Sequence, residues 1–462
     1  MIRLYDTLTG DVRPLAQRDE GKVSLYACGP TVYDHPHLGH ARQAMTYDVM
    51  RRYFEWRGLA VHHVANVTDI DDKIIARAQA ENTTESAVAT EWKQVYDDVM
   101  DALDILRPHD RPHATEYVEE MVEFIQTLID NGSAYANDSG VYLRVHTVDG
   151  YGDLVHRSLD DLREGAGARV EVDDTKEDPL DFALWKAAKS GEPTWPSPWG
   201  DGRPGWHIEC VAMSLGILGD GFDLHGGGND LVFPHHTNER AEAIAAGRDF
   251  AQHWAHNAML NISGEKMSKS LGNFTTIQTL LDEHPDNARA LRLALLQTHY
   301  RKVMELNPEV MAQSREGLKR LDAMVRKASG ADVPLDGAER DADAIAAFTS
   351  AMDDDLGTPE GVATMFETIR RANAALDAGD DAAAMLVATA IDLAGAMGLS
   401  VGPDGLGSGG DGGDPEIDAL VSARTEARAN KDFAEADRIR DQLTARGIVV
   451  EDTPNGPVWH RS

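Results

Sequence analysis

The sequence predicts an α/β chain: a parallel-sheet core interrupted by an insertion, then an all-helical domain and a small C-terminal module. Three observations predict it. A mainly apolar run at 23–27 ends at Cys28-Gly29-Pro30 and is followed by a helical stretch and a β-branched run, the order of a parallel crossover unit. Beyond about residue 287 the periodic segments repeat at helical spacing. A low-complexity Gly/Asp stretch, VGPDGLGSGGDGGDP at 401–415, separates a charged C-terminal segment from the rest.

Residues 23–27 read as a buried strand closed by a turn. Residues 38–56 read as a helix, because Ala41, Ala44, Met45, Val49 and Tyr53 recur mostly three and four apart and Gly58 closes the stretch. Residues 59–67 supply a second strand. In such sheets ligands sit in the loops at the strand ends. The segment 115–205 reads as an insertion. It holds a helix at 117–129 ended by Asn131-Gly132, a hairpin within 133–144, a polar stretch at 160–179 and a turn-rich stretch at 190–205. The sheet resumes with a helix at 208–218, a strand at 222–225, a loop at Gly226-Gly227-Gly228 and a helix at 230–246. A strand and a Ser/Gly/Lys loop lie within 254–274. Helices at 288–300, 311–327, 360–376 and 382–397 form the all-helical region. A charged helix at 434–445, stopped by Gly447, and a strand pair at 448–450 and 458–459 complete the tail. The expected boundaries are 1–114 and 206–286 for the core, 115–205 for the insertion, 287–400 for the helical domain, 401–415 for the linker and 416–462 for the C-terminal module.

A chain of 462 residues with 42% hydrophobic content can bury real cores. Its formal charge is −34, with 12 lysines and 32 arginines against 78 acidic residues. Taken alone, that charge argues against a generic nucleic-acid binder. It also fits a protein working at high salt, where a Debye length of about 3 Å at 1 M makes self-repulsion cheap. The acidity predicts a halophilic source, an archaeon. Two cysteines cannot staple a chain of this size. There is no basic leader and no run of 18 apolar residues, so a signal peptide and a membrane span are not expected and the predicted location is cytoplasmic.

Two constellations carry chemistry. Cys28 closes the first strand, Cys210 opens a helix, and His235 and Glu239 stand four apart on one helix face. Two thiolates, an imidazole and a carboxylate make a tetrahedral zinc site. His207 and His236 are alternative ligands, and either cysteine alone could be a small core residue. The second constellation is for phosphate. His37-Leu38-Gly39-His40 puts two imidazoles and a permissive glycine at a helix N-terminus, which favours anions. Lys266-Met267-Ser268-Lys269-Ser270 puts two of the scarce lysines three apart in a loop, where they can neutralise a pyrophosphate. The other pair with that spacing, Lys186 and Lys189, lies in a more helix-like context. There is no GxxxxGK[ST] loop and no clear GxGxxG.

With these residues in place the chain resembles the class I aminoacyl-tRNA synthetases. His37–His40 matches their "HIGH" signature with Leu for Ile, and Lys266–Ser270 matches "KMSKS" in full. Within that class it is similar to the cysteinyl-tRNA synthetases over nearly its whole length. The matching segments are 26–34, 66–73, 205–210, 225–231, 233–239, 351–355 with Thr358-Pro359, and 431–440.

The resemblance implies a Rossmann-like parallel-sheet nucleotide-binding catalytic domain with a connecting insertion. It implies one zinc ion per subunit, Zn(2+), held by Cys28, Cys210, His235 and Glu239. The zinc would take the thiolate of L-cysteine, a soft ligand that serine's hydroxyl cannot imitate. Gly29, Thr68, Trp206 and His225 match positions lining the amino-acid pocket. His37, Gly39, His40, Lys266, Ser268 and Lys269 would hold ATP, with Mg(2+) accompanying it, and His37, His40, Lys266 and Lys269 would act catalytically. The implied partner is tRNA(Cys), the implied state a monomer. In the terminal module Trp459, with Asp452, Thr453 and Arg461, would meet the anticodon. Two alternatives stay open: a mycothiol-pathway ligase joining cysteine to an amino sugar, and a catalytically inactive tRNA-binding paralogue.

Overall fold

The computed structural model describes residues 1–166, 175–262, 265–266, 276–335, 338–402, 415–429, 432–446, 448–453 and 456–461. A first compact unit comprises Met1–Asp282 with Tyr300–Glu305 and Asp353–Leu356. At its centre is a four-stranded parallel sheet, in spatial order Trp254–Asn257, Leu224–Gly228, Lys22–Ala27, Ala60–Ala65. Five of the six residues of Lys22–Ala27 are buried, as a strand covered on both faces requires. The strand pairs with Ala60–Ala65 on one side, Leu25 against His63, and with Leu224–Gly228 on the other, Leu25 against Leu224. The chain leaves the first strand in one direction and, after the insertion, returns on its other side. That reversal is the topological switch point, where a crevice opens at the carboxyl ends of the strands.

The helix Leu38–Trp56 connects the first two strands and buries Ala41, Met45, Val49 and Tyr53, as its spacing predicts. The second strand, Ala60–Ala65, is shorter than the 59–67 expected. Beyond it Val67 and Thr68 leave the ladder, their N–H groups donating to Pro112 and Pro30.

Two expectations are corrected. The strand expected at 222–225 runs Leu224–Gly228 and absorbs the supposed glycine loop. A Cβ on Gly226 would lie 2.2 Å from the Tyr47 ring, and one on Gly227 2.8 Å from the His236 ring. The glycines let bulky rings pack directly onto the strand. The helix expected at 230–246 is a turn of π-type at Val232–His236 followed by the helix Thr237–Ala245. Two helices had no clear signal, Asp72–Glu81 and Glu85–Ala102, capped by the side chains of Asp71 and Thr84.

The insertion carries the helix Val118–Asp130 and an antiparallel sheet ordered Ala134–Asn137, Gly140–Leu143, Phe182–Ala187, Gly202–Pro204. Within the same unit, the helix after it, Trp206–Leu218, is buried on most of its surface.

The second unit contains the helices Asn287–Leu296, Pro308–Gly330, Ala342–Asp353 as far as Met352, Thr358–Ala378 and Ala383–Ala396. The third of these was not foreseen. Toward the C-terminus, Pro415–Ala429 and Phe433–Ala445 pack around Ile417, Val421, Ile439, Leu443 and Ile448. The strands Ile448–Thr453 and Gly456–Arg461 pair with Val450 opposite Trp459. Most of the expected linker, 403–414, and Gly447 lie outside the described residues. Among the described residues no helix is long and apolar enough to cross a membrane.

Candidate active site

Four elements deliver the four expected metal donors to one point. Cys28 follows the first strand, its N–H donating to Gly226 and its carbonyl accepting from Gln43 Nε2 at 2.6 Å. Cys210 lies one turn into Trp206–Leu218. His235 is the fourth residue of the π-type turn, and Glu239 follows one turn later in Thr237–Ala245. The two sulfurs are 3.6 Å apart. His235 Nε2 is 3.7 Å from Cys28 Sγ and 3.6 Å from Cys210 Sγ, and Glu239 Oε1 is 3.6 Å from Cys28 Sγ.

These separations test the fit. Zinc bonds of about 2.3 Å to sulfur and about 2.0–2.1 Å to nitrogen at a tetrahedral centre imply sulfur–sulfur edges of about 3.8 Å and sulfur–nitrogen edges of about 3.5 Å. The cysteine and histidine edges agree within a few tenths of an ångström. The His235–Glu239 edge is 2.9 Å, an ion-pair distance that a metal would open. The donor set therefore fits zinc.

An overlapping group, Cys28, His225, His236 and Glu239, also gathers within 4.8 Å. It offers one thiolate instead of two. His225 Nε2 bonds Glu239 Oε2 at 2.7 Å, and His236 Nδ1 bonds His256 Nε2 at 2.7 Å. His236 Nε2 also stands 3.3 Å from Cys28 Sγ, so both rings are placed to orient the shared donors. His207, the other alternative, plays the same part, with Nδ1 2.9 Å from His235 Nδ1.

All four donors are buried, none more than 4% exposed. Burial pushes the Cys28 thiol well up, and Cys210 and Glu239 add to it. Cys210 is brought down to about 6, chiefly by its hydrogen bond from Cys28, against the effect of burial. Burial opposes the charged forms of Glu239 and His235, yet each is held charged. His225 and His235 keep Glu239 well below the usual carboxylate range, and Glu239 and Cys210 raise His235 to about 10. A dication would replace the protons on Cys28 and His235.

Cys28 also lines a cavity of ≈ 390 Å³ shared with Gly29, His37, Gly39, His40 and Trp206. His37 caps the helix Leu38–Trp56. Its ring stacks on His40 at 3.8 Å and 21°. Gly39 N–H donates to His37 Nδ1, and His37 N–H donates to His40 Nδ1, each at 3.1 Å. Both Nδ1 atoms accept, so the proton of each neutral ring sits on Nε2. Burial lowers both pKa values, that of His40 to about 3 with help from His37 and Lys73. The pair offers neutral N–H donors to a phosphate, not cations.

Gly29 and Trp206 line the cavity, and Trp206 stacks on His235 at 4.0 Å and 17°. It therefore touches both the donor cluster and the cavity. Thr68 and His225 are not on the wall of this cavity. Thr68 Oγ1 donates to the buried Glu209 at 3.1 Å, and His225 is engaged with Glu239 and stacked on Trp254 at 4.7 Å. Buried acids claim these polar atoms. Lys266 ends the strand Glu265–Lys266, paired with Asn261. Ser268 and Lys269 lie outside the described residues.

Several residues of the site were not singled out from sequence. Asn66 accepts from Gly29 N–H at 2.8 Å and donates to Thr68 Oγ1 at 3.2 Å, tying the cavity wall together. Lys73 and Gln43 line the cavity. A signal existed for Asn66 and Lys73, which both fall in the 66–73 segment. Gln43 had none, being one polar residue on a long helix.

A family model described as the tRNA synthetases class I (C) catalytic domain matches residues 14–316. The cysteine–tRNA ligase of Alkalilimnicola ehrlichii is 46% identical over 469 residues, covering 100% of both chains. The chain belongs to the cysteinyl-tRNA synthetase family. Further models match it, the cysteinyl-tRNA ligase anticodon binding domain at 411–459 and the DALR domain at 347–401. The cysteine–tRNA ligases of Halorhodospira halophila and Geobacillus thermodenitrificans are each 45% identical, the first over 100% of both chains and the second over 100% of this chain and 99% of its own. The matched synthetases are bacterial, which leaves the expected archaeal source without support. Among solved structures, the methionyl-tRNA synthetase of Mycobacterium tuberculosis in complex with methionyl-adenylate aligns with a TM-score of 0.56 at 16% identity. It covers 81% of this chain and 89% of its own, and shows a shared fold.

Proposed function

We propose that this chain activates L-cysteine with ATP and passes it to the 3′ end of tRNA(Cys), with the following division of labour among its residues. A cysteine carboxylate oxygen attacks the α-phosphorus, the α–β phosphoanhydride bond breaks, and pyrophosphate leaves. The terminal ribose hydroxyl then attacks the adenylate carbonyl and AMP leaves. No enzyme nucleophile is needed. Zinc held by Cys28, Cys210, His235 and Glu239 would supply a soft Lewis-acid partner for the substrate thiolate, which serine and alanine cannot provide.

The chain's own residues do the rest. Trp206, braced on His235, forms the wall against which the small side chain packs. Asn66 and Gln43 hold the backbone of Gly29 and Cys28, keeping the donor and the wall in register. The Nε2–H groups of His37 and His40 donate to phosphate oxygens as negative charge grows there, and the N-terminus of the helix Leu38–Trp56 adds its dipole. Lys266, Ser268 and Lys269 bind the β- and γ-phosphates from the loop, with Mg(2+) bound to the nucleotide. The module at 416–462, through Trp459, Asp452, Thr453 and Arg461, reads the anticodon. The helical region at 287–400 supports the tRNA, and 115–205 is the connecting insertion. We infer a monomer working in the cytoplasm.

One observation carries this reading: Cys28 belongs at once to the four-donor cluster and to the wall of the cavity that holds His37 and His40. The anticodon-binding match at 411–459 has no use in an amino-sugar ligase, and an inactive paralogue need not keep the donor cluster. The test is cysteine-dependent pyrophosphate exchange on zinc-loaded protein, followed by an offer of tRNA(Cys) and of amino-sugar acceptors. Exchange with charging of tRNA alone supports the reading; exchange with transfer to the sugar, or no exchange, contradicts it.

A further inference from the structure

We propose that Lys73 binds the polyphosphate of ATP, as a cation of the nucleotide cavity separate from the 266–269 loop. The inference rests on the adenylating activity proposed above and deepens it.

The starting point is a charge deficit. The cavity wall includes Asp34 and Asp230, while His37 and His40 are neutral. A triphosphate entering such a space needs positive charge from the wall. Among the described residues two cations line it, Arg42 and Lys73. Arg42 is only 3% exposed, and its Nη2 donates to the backbone carbonyls of Tyr300 and Lys302, which holds it inside the wall. Lys73 is different. It is solvent-exposed and makes no ion pair among the described residues. The nearby carboxylates are committed elsewhere: Asp72 to Lys186 and Arg203, Asp34 to Arg77.

Its position is set by the fold. Lys73 is the second residue of the helix Asp72–Glu81, and its N–H donates to Asp71 Oδ1 at 2.8 Å. Its ammonium lies 5.2 Å from the centroid of the Tyr33 ring, which also lines the cavity. A ring face attracts an ammonium without neutralising it, as a carboxylate would. The chain uses lysine only 12 times against 78 acids, and an uncommitted one at this wall has a use. Lys73 lines the same cavity as His37 and His40, the stacked imidazoles assigned to ATP. The terminal phosphate of the tRNA acceptor end is the other phosphoryl source, and the test separates the two.

The experiment uses the full, zinc-loaded chain as wild type, Lys73→Ala and Lys73→Arg. Binding of α,β-methylene-ATP is measured by calorimetry, pyrophosphate exchange by steady-state kinetics, and transfer to tRNA(Cys) by single turnover from preformed adenylate. For Lys73→Ala we expect affinity for the analogue and kcat/KM for ATP to fall about 10- to 100-fold. KM for cysteine and the transfer rate stay within twofold, and Lys73→Arg recovers most of the loss. Analogue binding within twofold of wild type overturns the proposal. So does a loss confined to transfer, which would assign Lys73 to the tRNA phosphate. Equal losses for ATP and cysteine that arginine does not rescue would make the role structural and overturn it too. Absence of exchange in the wild type would instead refute the proposed function, while the analogue affinities would still decide Lys73.

Discussion

Gly29→Ala tests how the first strand and the 66–68 turn hold the site. A Cβ on Gly29 would lie 1.6 Å from the carbonyl oxygen of Asn66 and 2.7 Å from its carbonyl carbon. Those are backbone atoms and cannot rotate away. Relief to an ordinary contact requires the strand end and the turn to part by roughly 2 Å, which is overpacking and costs about 1–3 kcal/mol. The Gly29 N–H bond to Asn66 Oδ1 would go with it, adding about 0.5–1.5 kcal/mol. A total near 2–4 kcal/mol corresponds to a fall in Tm of roughly 4–16 °C for a unit of this size. Cys28 is the adjacent residue, and a metal site tolerates displacements of only about 0.2 Å, so zinc affinity should fall as well. Melting curves and chelator competition on purified protein read both effects. Gly395→Ala is the control, because that helical glycine has nothing within 4 Å of a built Cβ, and it should be neutral or mildly stabilising. Wild-type Tm and wild-type zinc affinity in Gly29→Ala would show that the strand end and the turn do not hold each other in this way.

Four further outcomes are expected. Cys210→Ala removes one of two thiolates and should lower zinc affinity by at least about 100-fold; unchanged metal content after dialysis against chelator would contradict it. Trp206→Ala loses the stack on His235 and should raise KM for cysteine about 2- to 10-fold with zinc retained and KM for ATP within twofold; equal changes in both KM values would count against its role as a wall. Burial holds His40, His63 and His256 to pKa values of about 3 in the folded chain, against about 6.5 when unfolded. Between those values the unfolded chain binds the extra protons, so stability should fall as pH drops from about 6.5 toward 3 and rise with pH across that window. His63→Phe should flatten that slope by up to one proton, read from urea midpoints between pH 6 and 4; an unaltered slope would refute it. Finally, a charge of −34 predicts that Tm falls when molar salt is replaced by dilute buffer, and an unchanged Tm would remove the salt-adaptation reading.

Much of the site was legible because rare residues carried it. Cys28 and Cys210 are the chain's two cysteines, and His235 with Glu239 has the spacing of one helix face. The helix Leu38–Trp56 announced itself through well-spaced apolar residues. Other features gave misleading or weak signals. Gly226–Gly228 has loop composition, yet it is a strand because Tyr47 and His236 occupy the space its side chains would need. Ala342–Asp353 is alanine-rich, so its buried face, Ala344, Phe348 and Met352, stands out poorly. Thr68 bonds buried Glu209 and His225 bonds buried Glu239, pairings between residues well separated in the chain that a sequence does not display. The neutrality of His37 and His40 comes from burial, and their tautomer from which backbone N–H meets which Nδ1, both matters of three-dimensional placement.

The central claim is that zinc held by Cys28, Cys210, His235 and Glu239 selects the substrate by its thiolate. Zinc K-edge X-ray absorption on the purified protein, with and without saturating L-cysteine, tests it most directly. Two sulfur neighbours are expected in the free protein and three with L-cysteine, while L-serine leaves the count at two. A sulfur count that does not change on adding cysteine would contradict it.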